Sequence, residues 1–329
     1  MAEEKSAPFD TAAYLARINL DASLAAACPT DLPTLTAVMA AHSLTIPFEN
    51  LSVVLGGTIS MAADDVEAKL VRGGRGGYCF EQNTLMQLAL ASLGYSVRPL
   101  LCRVRWGKAD DALSPLTHIA LAVTAPGLGD GVEYLVDVGF AGTNSVAPVL
   151  LSGGDAPQAL PEGSYRVCAA DGGPEGGATS GASAYTALQR KNRSKEGVEA
   201  WASLYMFRTG ETAIVPDLEV ANWVSCTKPG ARFTGQLFVS RCVVGDDGHS
   251  DERHYILNDS YVVRTLRASG EDAYVPSTVV TTKVKDTVQL VELLREVFGL
   301  ALSEEEMGGV EEGRLGVYLP GGARYTASE

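Results

Sequence analysis

Residues 75–83 read RGGYCFEQN, and they place one cysteine, Cys79, two residues after a glycine pair and at the start of a segment with helix-forming composition. The segment continues as TLMQLALASLG (84–94) and ends at Gly94, a residue type that favours the position after a helix. The glycines around Cys79 let the chain turn sharply and let a ligand approach the backbone closely. A thiol at a helix N-terminus also has a lowered pKa, because it lies at the positive end of the helix dipole. The stretch therefore predicts a reactive cysteine, although a small buried residue at a tight helix entry would give the same pattern.

The sequence before this stretch is typical of helices. Asp10 can cap the segment TAAYLARI, and Asp31 with Pro33 begins the segment LPTLTAVMAAHS. A third helix is predicted through DDVEAKLV (64–71). His42 falls in the last turn of the second helix, where a cation would suit the dipole.

The sequence after Gly94 changes to the two-residue period of β-strands. Strands are predicted at 96–106, 117–124 and 132–138, and further ones at SYRVCA, SAYTALQR, SLYMFRT, GQLFVSRCVV, SYVVRTL and YVPSTVV. The end of the chain returns to helix, with Asp286 as the cap of TVQLVELLREVFG and Ser303 with Glu306 as a capping box. In the first of these helices one apolar side is predicted, formed by Val288, Val291, Leu294 and Phe298. Helices, then strands, then a mixture of both predict an α+β fold rather than a doubly wound parallel sheet.

Composition and charge restrict the function classes. The chain has 329 residues, 46% of them apolar, and a formal net charge of −14. This acidity argues against a nucleic-acid partner, because phosphate binding needs clustered lysine and arginine. The start MAEEKSAPFD lacks the pattern of a signal peptide, and no apolar run reaches the roughly 20 residues of a membrane helix. We therefore expect a cytoplasmic protein with no membrane partner; the sequence does not indicate its oligomeric state.

Cysteine and histidine spacing predicts no metal site. The six cysteines contain no Cys-x-x-Cys pair, and the four histidines form no zinc-type pairing with them. The segment 169–183, AADGGPEGGATSGAS, is rich in glycine and is predicted to be a surface insertion.

Two residues on a predicted hairpin could activate Cys79. A nucleophilic thiolate usually needs an imidazole, and the imidazole needs an orienting acid. His118 begins the strand HIALAV, and Asp137 lies near the end of the next strand, across the loop APGLGDG. If the turn is centred between Gly127 and Leu128, His118 and Asp137 face each other on one side of the sheet. His249 and His254 fall in the charged stretch GDDGHSDERH, which is predicted to be a solvated loop.

Four motifs taken together resemble the arylamine N-acetyltransferase family. They are IPFENL (46–51), RGGYCFEQN (75–83), THIALAV (117–123) and VDVGF (136–140), and NWVSCTKPGARF (222–233) is similar to a later motif of that family. The resemblance implies an N-terminal helical bundle (1–94), a central β-barrel (95–215) and a C-terminal α/β lid (216–329). It also implies a cysteine-protease-like Cys79-His118-Asp137 triad.

The reaction that the resemblance implies is ping-pong. Acetyl-coenzyme A acetylates the cysteine, coenzyme A leaves, and an arylamine, arylhydrazine or N-hydroxyarylamine accepts the acetyl group. The matched positions imply four acceptor-binding residues, Phe48, Val104, Phe140 and Phe233, and two coenzyme contacts, Thr117 and Thr227. The acidic chain needs a local anion site for the coenzyme phosphates, and we expect the backbone N–H groups of Gly127 and Gly129 to contribute one.

Several alternatives stay open at this stage. A thiol hydrolase would use the same order of Cys, His and Asp. The same fold could use malonyl- or propionyl-coenzyme A, could act as an amide synthase, or could serve as a non-catalytic binding protein. Arg75 could bind a phosphate, but an ion pair with Glu49 is favoured, because a lone buried charge is prohibitive.

Overall fold

The N-terminal part of the chain is helical, as predicted. The computed structural model describes residues 8–27, 29–108, 114–141, 145–170, 185–193, 197–244, 251–266 and 276–320. Its first helices are α1 (Thr11–Arg17), α2 (Ser23–Ala27), α3 (Leu32–Thr45), α4 (Leu51–Val54), α5 (Ala63–Glu67) and α6 (Cys79–Ser92), with a π-helical turn at Ala68–Arg72. Asp10 and Asp31 cap α1 and α3 through their side chains, and Gly94 has a φ of 92°, the left-handed conformation expected after a helix.

A large antiparallel sheet follows the helices. It contains β2 (Ser96–Val104), β3 (Leu116–Thr124), β4 (Tyr134–Val136), β5 (Val149–Leu150), β6 (Gln158–Leu160), β7 (Gly163–Ala169), β8 (Tyr185–Arg193) and β9 (Glu199–Arg208). The strand order is β5-β4-β3-β2-β9-β8-β7-β6, and β5 comes close to β7, so the sheet is nearly closed into a barrel. The enclosed core includes Leu100, Ala120, Tyr165, Leu204 and Phe207.

A second antiparallel sheet joins the two ends of the chain. Its order is β1 (Phe48–Glu49), β10 (Phe238–Val244), β11 (Asp251–Leu257), β12 (Ser260–Leu266) and β13 (Pro276–Lys283). The remaining helices are α7 (Val215–Thr227), α8 (Arg232–Gly235), α9 (Thr287–Glu296) and α10 (Glu304–Glu311). An apolar cluster places α4 beside the C-terminal helices; its members include Leu51, Leu55, Leu294, Phe298 and Val310. The short strand that precedes α4 is therefore held by C-terminal structure.

The helix that begins at Cys79 packs on β3 and β2. Leu85, Met86 and Leu90 of α6 lie in one buried cluster with Leu121 of β3 and Val136 of β4. This packing places the N-terminus of α6 beside β3, which carries His118, and Asn83 of α6 contacts Asp137, the residue that follows β4.

Three details differ from the sequence predictions. The stretch GDDGHSDERH (245–254) was predicted to be a loop, but β11 begins at Asp251, and His254 contacts the Tyr261 hydroxyl through Nδ1 at 2.7 Å; residues 245–250, with His249, lie outside the described residues. Val288 was placed on the buried side of α9 and is 68% exposed. The helix α7 was not predicted, because its exposed face carries Val215, Val220 and Trp223 and hides the amphipathic pattern.

The α+β class is confirmed, with mixed helices and sheets and a barrel-like sheet. The three-part division at 94/95 and 215/216 stays a prediction. The glycine-rich segment 169–183 lies almost entirely outside the described residues. Within the described ranges, no helix is both long enough and apolar enough to cross a bilayer.

Candidate active site

Cys79 is the first residue of α6 and is 2% exposed. The preceding nucleophile loop, residues 73–78, runs against β1: Glu49 N–H donates to Gly77 O at 3.0 Å. A Cβ on Gly76 would lie 2.1 Å from the carbonyl oxygen of Pro47, so only glycine permits this approach. The glycine pair therefore brings the cysteine helix against the IPFENL segment.

The surroundings of Cys79 favour its neutral thiol over the thiolate. Burial raises its pKa well above the ordinary value, and the charge of Asp137 acts in the same direction. The N–H of Phe80 acts in the opposite direction, as a helix N-terminus should, but its effect is smaller than that of burial. The lowered pKa predicted from the helix dipole alone is therefore wrong. The sulfur lies 3.8 Å from the carbonyl oxygen of Thr117, the residue before His118.

His118 and Asp137 form a buried hydrogen-bonded pair. His118 Nε2 lies 2.7 Å from Asp137 Oδ2, and both residues are at most 5% exposed. The predicted hairpin register is wrong by two residues, because Leu121 pairs with Val136 rather than with Tyr134. A shift of two keeps every side chain on its face of the sheet, whereas a shift of one would have separated the pair.

Asp137 is held as a carboxylate by its surroundings. Burial alone would raise its pKa, but the attraction of His118 and hydrogen bonds from His118, Asn83 and Gly139 together lower the pKa below its usual value. Asn83 Nδ2 donates to Asp137 Oδ1 at 2.9 Å, and the N–H of Gly139 donates to the same oxygen at 2.8 Å. The ionised acid therefore receives the Nε2–H of His118 and fixes the tautomer of the ring.

Gly139 allows the segment after β4, which carries Asp137, to approach the cysteine helix. A Cβ at this position would lie 2.7 Å from the Cα of Cys79 and 2.7 Å from Nδ2 of Asn83. The VDVGF motif thus has a steric reason for its glycine. Any side chain there would separate Asp137 from the helix that carries Cys79.

Two residues around Asp137 were missed by the sequence analysis. Asn83 lies one turn after Cys79 and connects α6 to both strands, since it also donates to Ile119 O and accepts from Val138 N–H. The sequence signal for Asn83 was a polar residue on the buried face of an apolar helix.

Tyr205 is fully buried in β9, and its ring centroid lies 4.9 Å from that of His118. Burial together with the charge of Asp137 raises the pKa of Tyr205. Nothing in its sequence context marked it.

Two of the predicted acceptor-binding residues lie beside the cysteine. Phe48 and Phe233 have ring centroids 5.7 Å apart, and Phe233 lies 5.4 Å from Tyr78, the neighbour of Cys79. The Tyr78 hydroxyl donates to Asn222 Oδ1 of α7. Cys79, Phe48 and Phe233 therefore share one aromatic cluster.

The other two predicted acceptor-binding residues belong to the barrel core. The ring of Phe140 lies 5.0 Å from that of His118 and 5.2 Å from that of Tyr205, and Val104 packs against the same core. The cavity that Phe140 and Asp137 line has a volume of about 10 Å³. That space holds about one water, so an arylamine would have to contact another face of Phe140.

The predicted coenzyme contacts are not all brought together. Thr117 lies beside the cysteine, and Thr227 ends α7, where its hydroxyl donates to Trp223 O at 2.5 Å. Thr227 also lines a cavity of about 550 Å³ with Val53, Pro229, Gly230 and Arg314.

Gly127 and Gly129 lie at the end of β3 opposite to His118. A Cβ on Gly127 would lie 2.3 Å from the carbonyl oxygen of Thr30, so this loop packs on the N-terminal helices. The coenzyme-binding role of Gly127 and Gly129 remains a prediction, and their position in the fold does not support it. In the described part of the chain, no group of three or more His, Cys, Asp or Glu side chains could hold a metal ion.

Arg75 is paired with carboxylates. Its Nη2 lies 2.8 Å from Glu49 Oε1, and its Nη1 contacts Glu306 of α10. The ion pair with Glu49 favoured by the sequence is therefore present. The second partner, 231 residues away along the chain, was not predicted.

His42 is a neutral core residue rather than a cation at a helix end. Burial lowers its pKa to about 4. Its Nε2 lies 2.7 Å from Gln82 Oε1 and its Nδ1 lies 3.0 Å from the Tyr14 hydroxyl. Gln82 in turn donates to Pro47 O and Gly77 O, which connects His42 to the nucleophile loop.

The sequence profile and the relatives that match this chain indicate the same family. The sequence profile of the N-acetyltransferase family matches residues 31–307. The arylamine N-acetyltransferase of Mycobacterium bovis is 36% identical over 311 residues, which are 93% of this chain and 94% of that protein. An N-malonyltransferase of Fusarium pseudograminearum is 26% identical over 310 residues, 89% of this chain and 86% of that protein.

A solved relative shows the same fold with its coenzyme. The structure of the Mycobacterium marinum arylamine N-acetyltransferase in complex with CoA is 31% identical, covers 94% of this chain and 98% of that chain, and has a TM-score of 0.74. Because the profile match and these relatives extend over most of the sequence, the chain belongs to the arylamine N-acetyltransferase family of acyltransferases.

Proposed function

We propose that this protein transfers an acetyl group from acetyl-coenzyme A to arylamines, arylhydrazines and N-hydroxyarylamines through an acetyl thioester on Cys79. The observation that carries the proposal is the buried His118–Asp137 hydrogen bond of 2.7 Å beside the cysteine helix. The relative solved with CoA supports the donor, and the names of the relatives support the acceptor class.

The first step, attack of Cys79 on the acetyl group, requires removal of the thiol proton. The buried thiol does not ionise alone, so its proton must move to a partner while the sulfur attacks the acetyl carbonyl. Asp137 accepts the Nε2–H of His118, which leaves Nδ1 of the same ring to receive that proton. The resulting imidazolium would be stabilised by the carboxylate of Asp137.

The two half-reactions use the same groups in opposite directions. The S–C bond to Cys79 forms as the bond between the acetyl carbon and the coenzyme sulfur breaks, and His118 returns the proton to the departing coenzyme. The amine then attacks the acetyl-cysteine, His118 takes its proton, and Cys79 leaves as the thiol. The backbone N–H groups of Cys79 and Phe80 act to lower the thiol pKa, and as donors at the start of α6 they are the groups that we propose for the oxyanion.

The aromatic cluster provides the acceptor side of the proposal. Phe48 and Phe233 adjoin Tyr78 and Cys79, so an arylamine ring stacked on them would place its nitrogen near the thioester. Phe140 and Val104 would contact the acceptor from the barrel side. Thr117 and Thr227 remain the proposed coenzyme contacts, and the helical bundle, barrel and lid divisions remain proposals with them. The cytoplasmic location is an expectation of the sequence.

A second candidate donor is malonyl-coenzyme A. The similarity to an N-malonyltransferase over 89% of this chain favours it as the alternative. The two donors differ by one carboxylate, so comparison of kcat/KM for acetyl- and malonyl-coenzyme A with one acceptor distinguishes them. A thiol hydrolase would instead release acetate from acetyl-coenzyme A at the same rate with or without amine.

Steady-state kinetics test the proposed mechanism. Initial rates are measured with acetyl-coenzyme A varied at several fixed aniline concentrations. A ping-pong reaction predicts parallel double-reciprocal lines, because coenzyme A leaves before aniline binds. Intersecting lines would reject the acetyl-enzyme pathway in favour of direct transfer.

Asp137→Asn should reduce kcat by about 10² to 10⁴ with little change in fold, because the tautomer of His118 is no longer fixed.

A further inference from the structure

We propose that Glu306 on the C-terminal helix α10 is a positioning residue for the nucleophile, acting through Arg75. The contact joins α10 to the nucleophile loop, four residues before Cys79. Its kinetic test rests on the proposed acetyl transfer, whereas its test by chemical alkylation of Cys79 does not.

Arg75 connects three separate parts of the chain. It is 7% exposed, and its two terminal nitrogens go to different carboxylates, Nη2 to Glu49 of β1 and Nη1 to Glu306 of α10. The backbone of the same loop is held from a third side, since Arg17 donates to Gly74 O at 3.2 Å. A planar guanidinium with two fixed partners has little rotational freedom, so it fixes the loop that carries it.

Glu49 cannot pair with both terminal nitrogens of the Arg75 guanidinium. Its Oε2 accepts the N–H of Leu51 at 2.6 Å, and its Oε1 is shared between Arg75 and the more distant Lys69, at 3.9 Å. Lys69 has its own close carboxylate, Glu81, at 2.6 Å. Loss of the Glu306 carboxylate would therefore leave one end of the Arg75 guanidinium without its ion-pair partner.

The helix α10 is rigid enough to act as a support. Ser303 and Glu306 form its capping box, with Ser303 N–H donating to Glu306 Oε2 at 2.9 Å. A Cβ on Gly309 would lie 3.4 Å from Leu55, so α10 packs directly on the segment after α4. The carboxylate that holds Arg75 is thus anchored at its own helix start, and α10 also supports the segment after β1.

Glu306 acts on the position of the thiol rather than on its charge. Besides burial, the charges that raise the pKa of Cys79 are those of Asp137 and Glu81, and Glu306 is not among them. Loosening the loop has two opposite consequences. A buried thiol at 2% exposure becomes easier for a small reagent to reach, while the alignment needed for acyl transfer is lost.

The test compares Glu306→Gln and Glu306→Asp with Glu305→Gln, a matched exposed control on the same helix. Glu306→Asp keeps the charge but is too short to reach Arg75. Single-turnover acetylation of Cys79 is measured over a range of acetyl-coenzyme A concentrations, and alkylation with iodoacetamide is measured across pH. Both Glu306 variants should slow the acetylation rate at saturating donor about tenfold, less than the roughly 10² that a 1 Å misplacement can cost, with the half-saturating donor concentration little changed. Alkylation should be faster with an unchanged pH midpoint, and Glu305→Gln should match the wild type in every measurement.

A double-mutant cycle with Arg75→Lys tests whether Glu306 acts on Cys79 through Arg75. If Glu306 acts through Arg75, Glu306→Gln should add little in the Arg75→Lys background. Additive effects, or folded Glu306 variants whose acetylation and alkylation rates equal those of Glu305→Gln, would overturn the inference. A wild type that forms no acetyl-cysteine would reject the proposed function instead, and the alkylation rates would still decide the role of Glu306.

Discussion

Replacement of Asn83 by alanine removes the side chain that joins the cysteine helix to β3, which carries His118, and to the segment after β4, which carries Asp137. Asn83 is completely buried and makes three hydrogen bonds: to Ile119 O at 2.8 Å, to Asp137 Oδ1 at 2.9 Å and from Val138 N–H at 3.1 Å. Alanine leaves the backbone helix intact, so the loss is confined to these contacts.

The expected destabilisation follows from the number of polar groups left unpaired. Each net hydrogen bond contributes about 1 kcal/mol, and a buried group left without a partner costs about 1–3 kcal/mol. Asp137 Oδ1 keeps the Gly139 N–H, but Val138 N–H loses its partner. We therefore expect Asn83→Ala to lower the free energy of unfolding by about 3 kcal/mol. The pKa of Asp137 should rise, because one of the hydrogen bonds that lower it is gone.

Urea denaturation at neutral pH measures this loss. The matched control is Gln87→Ala, one turn further along α6, where the side chain is partly exposed and has no hydrogen bond within the described ranges. The control should change the free energy of unfolding by at most about 0.5 kcal/mol. A loss for Asn83→Ala of less than about 1 kcal/mol, or one equal to the control, would refute the view that Asn83 supports this site.

Three further predictions concern charged groups around the same site. Arg75→Met should lower the free energy of unfolding by about 3–5 kcal/mol in urea, because it leaves the buried Glu49 without its close partner; normal stability with weaker acetyl-coenzyme A binding would instead assign Arg75 to a phosphate. For His42, the folded pKa of about 4 lies below the ordinary 6.5, so the unfolded chain binds a proton that the folded chain does not, and stability is lost as pH falls through this window. Relative to His42→Asn, the wild type should lose roughly 3 kcal/mol between these two pH values, and parallel stability curves would contradict this. Glu81→Gln should lower the pH midpoint of Cys79 alkylation, because the Glu81 charge raises the thiol pKa; an unchanged or higher midpoint would exclude that influence.

The local sequence was sufficient to predict features that depend on a single helix-capping residue or on the two-residue repeat of a strand. The capping residues Asp10, Asp31 and Asp286 all accept the hydrogen bonds expected of them. The pairing of His118 with Asp137 was predicted because side chains in a sheet repeat every two residues, and the error in register was itself two residues.

Contacts between distant segments could not be predicted from local pattern. Glu306 looks like an ordinary capping-box residue in the sequence, and only the folded chain brings it to Arg75. His42 would be a favourable cation at a helix end if exposed, but packing buries it between Tyr14 and Gln82. Arg253 made β11 look like a loop, although its guanidinium is buried and contacts the Cys242 sulfur at 2.7 Å.

The most direct test of the account is the intact mass of the protein after mixing with acetyl-coenzyme A in the absence of amine. The wild type should gain one acetyl group, located on the peptide that contains Cys79, and Cys79→Ser should gain none. Addition of aniline should remove the group and yield acetanilide. An enzyme that produces acetanilide without ever carrying the acetyl group, or a Cys79→Ser variant that remains active, would contradict the central claim.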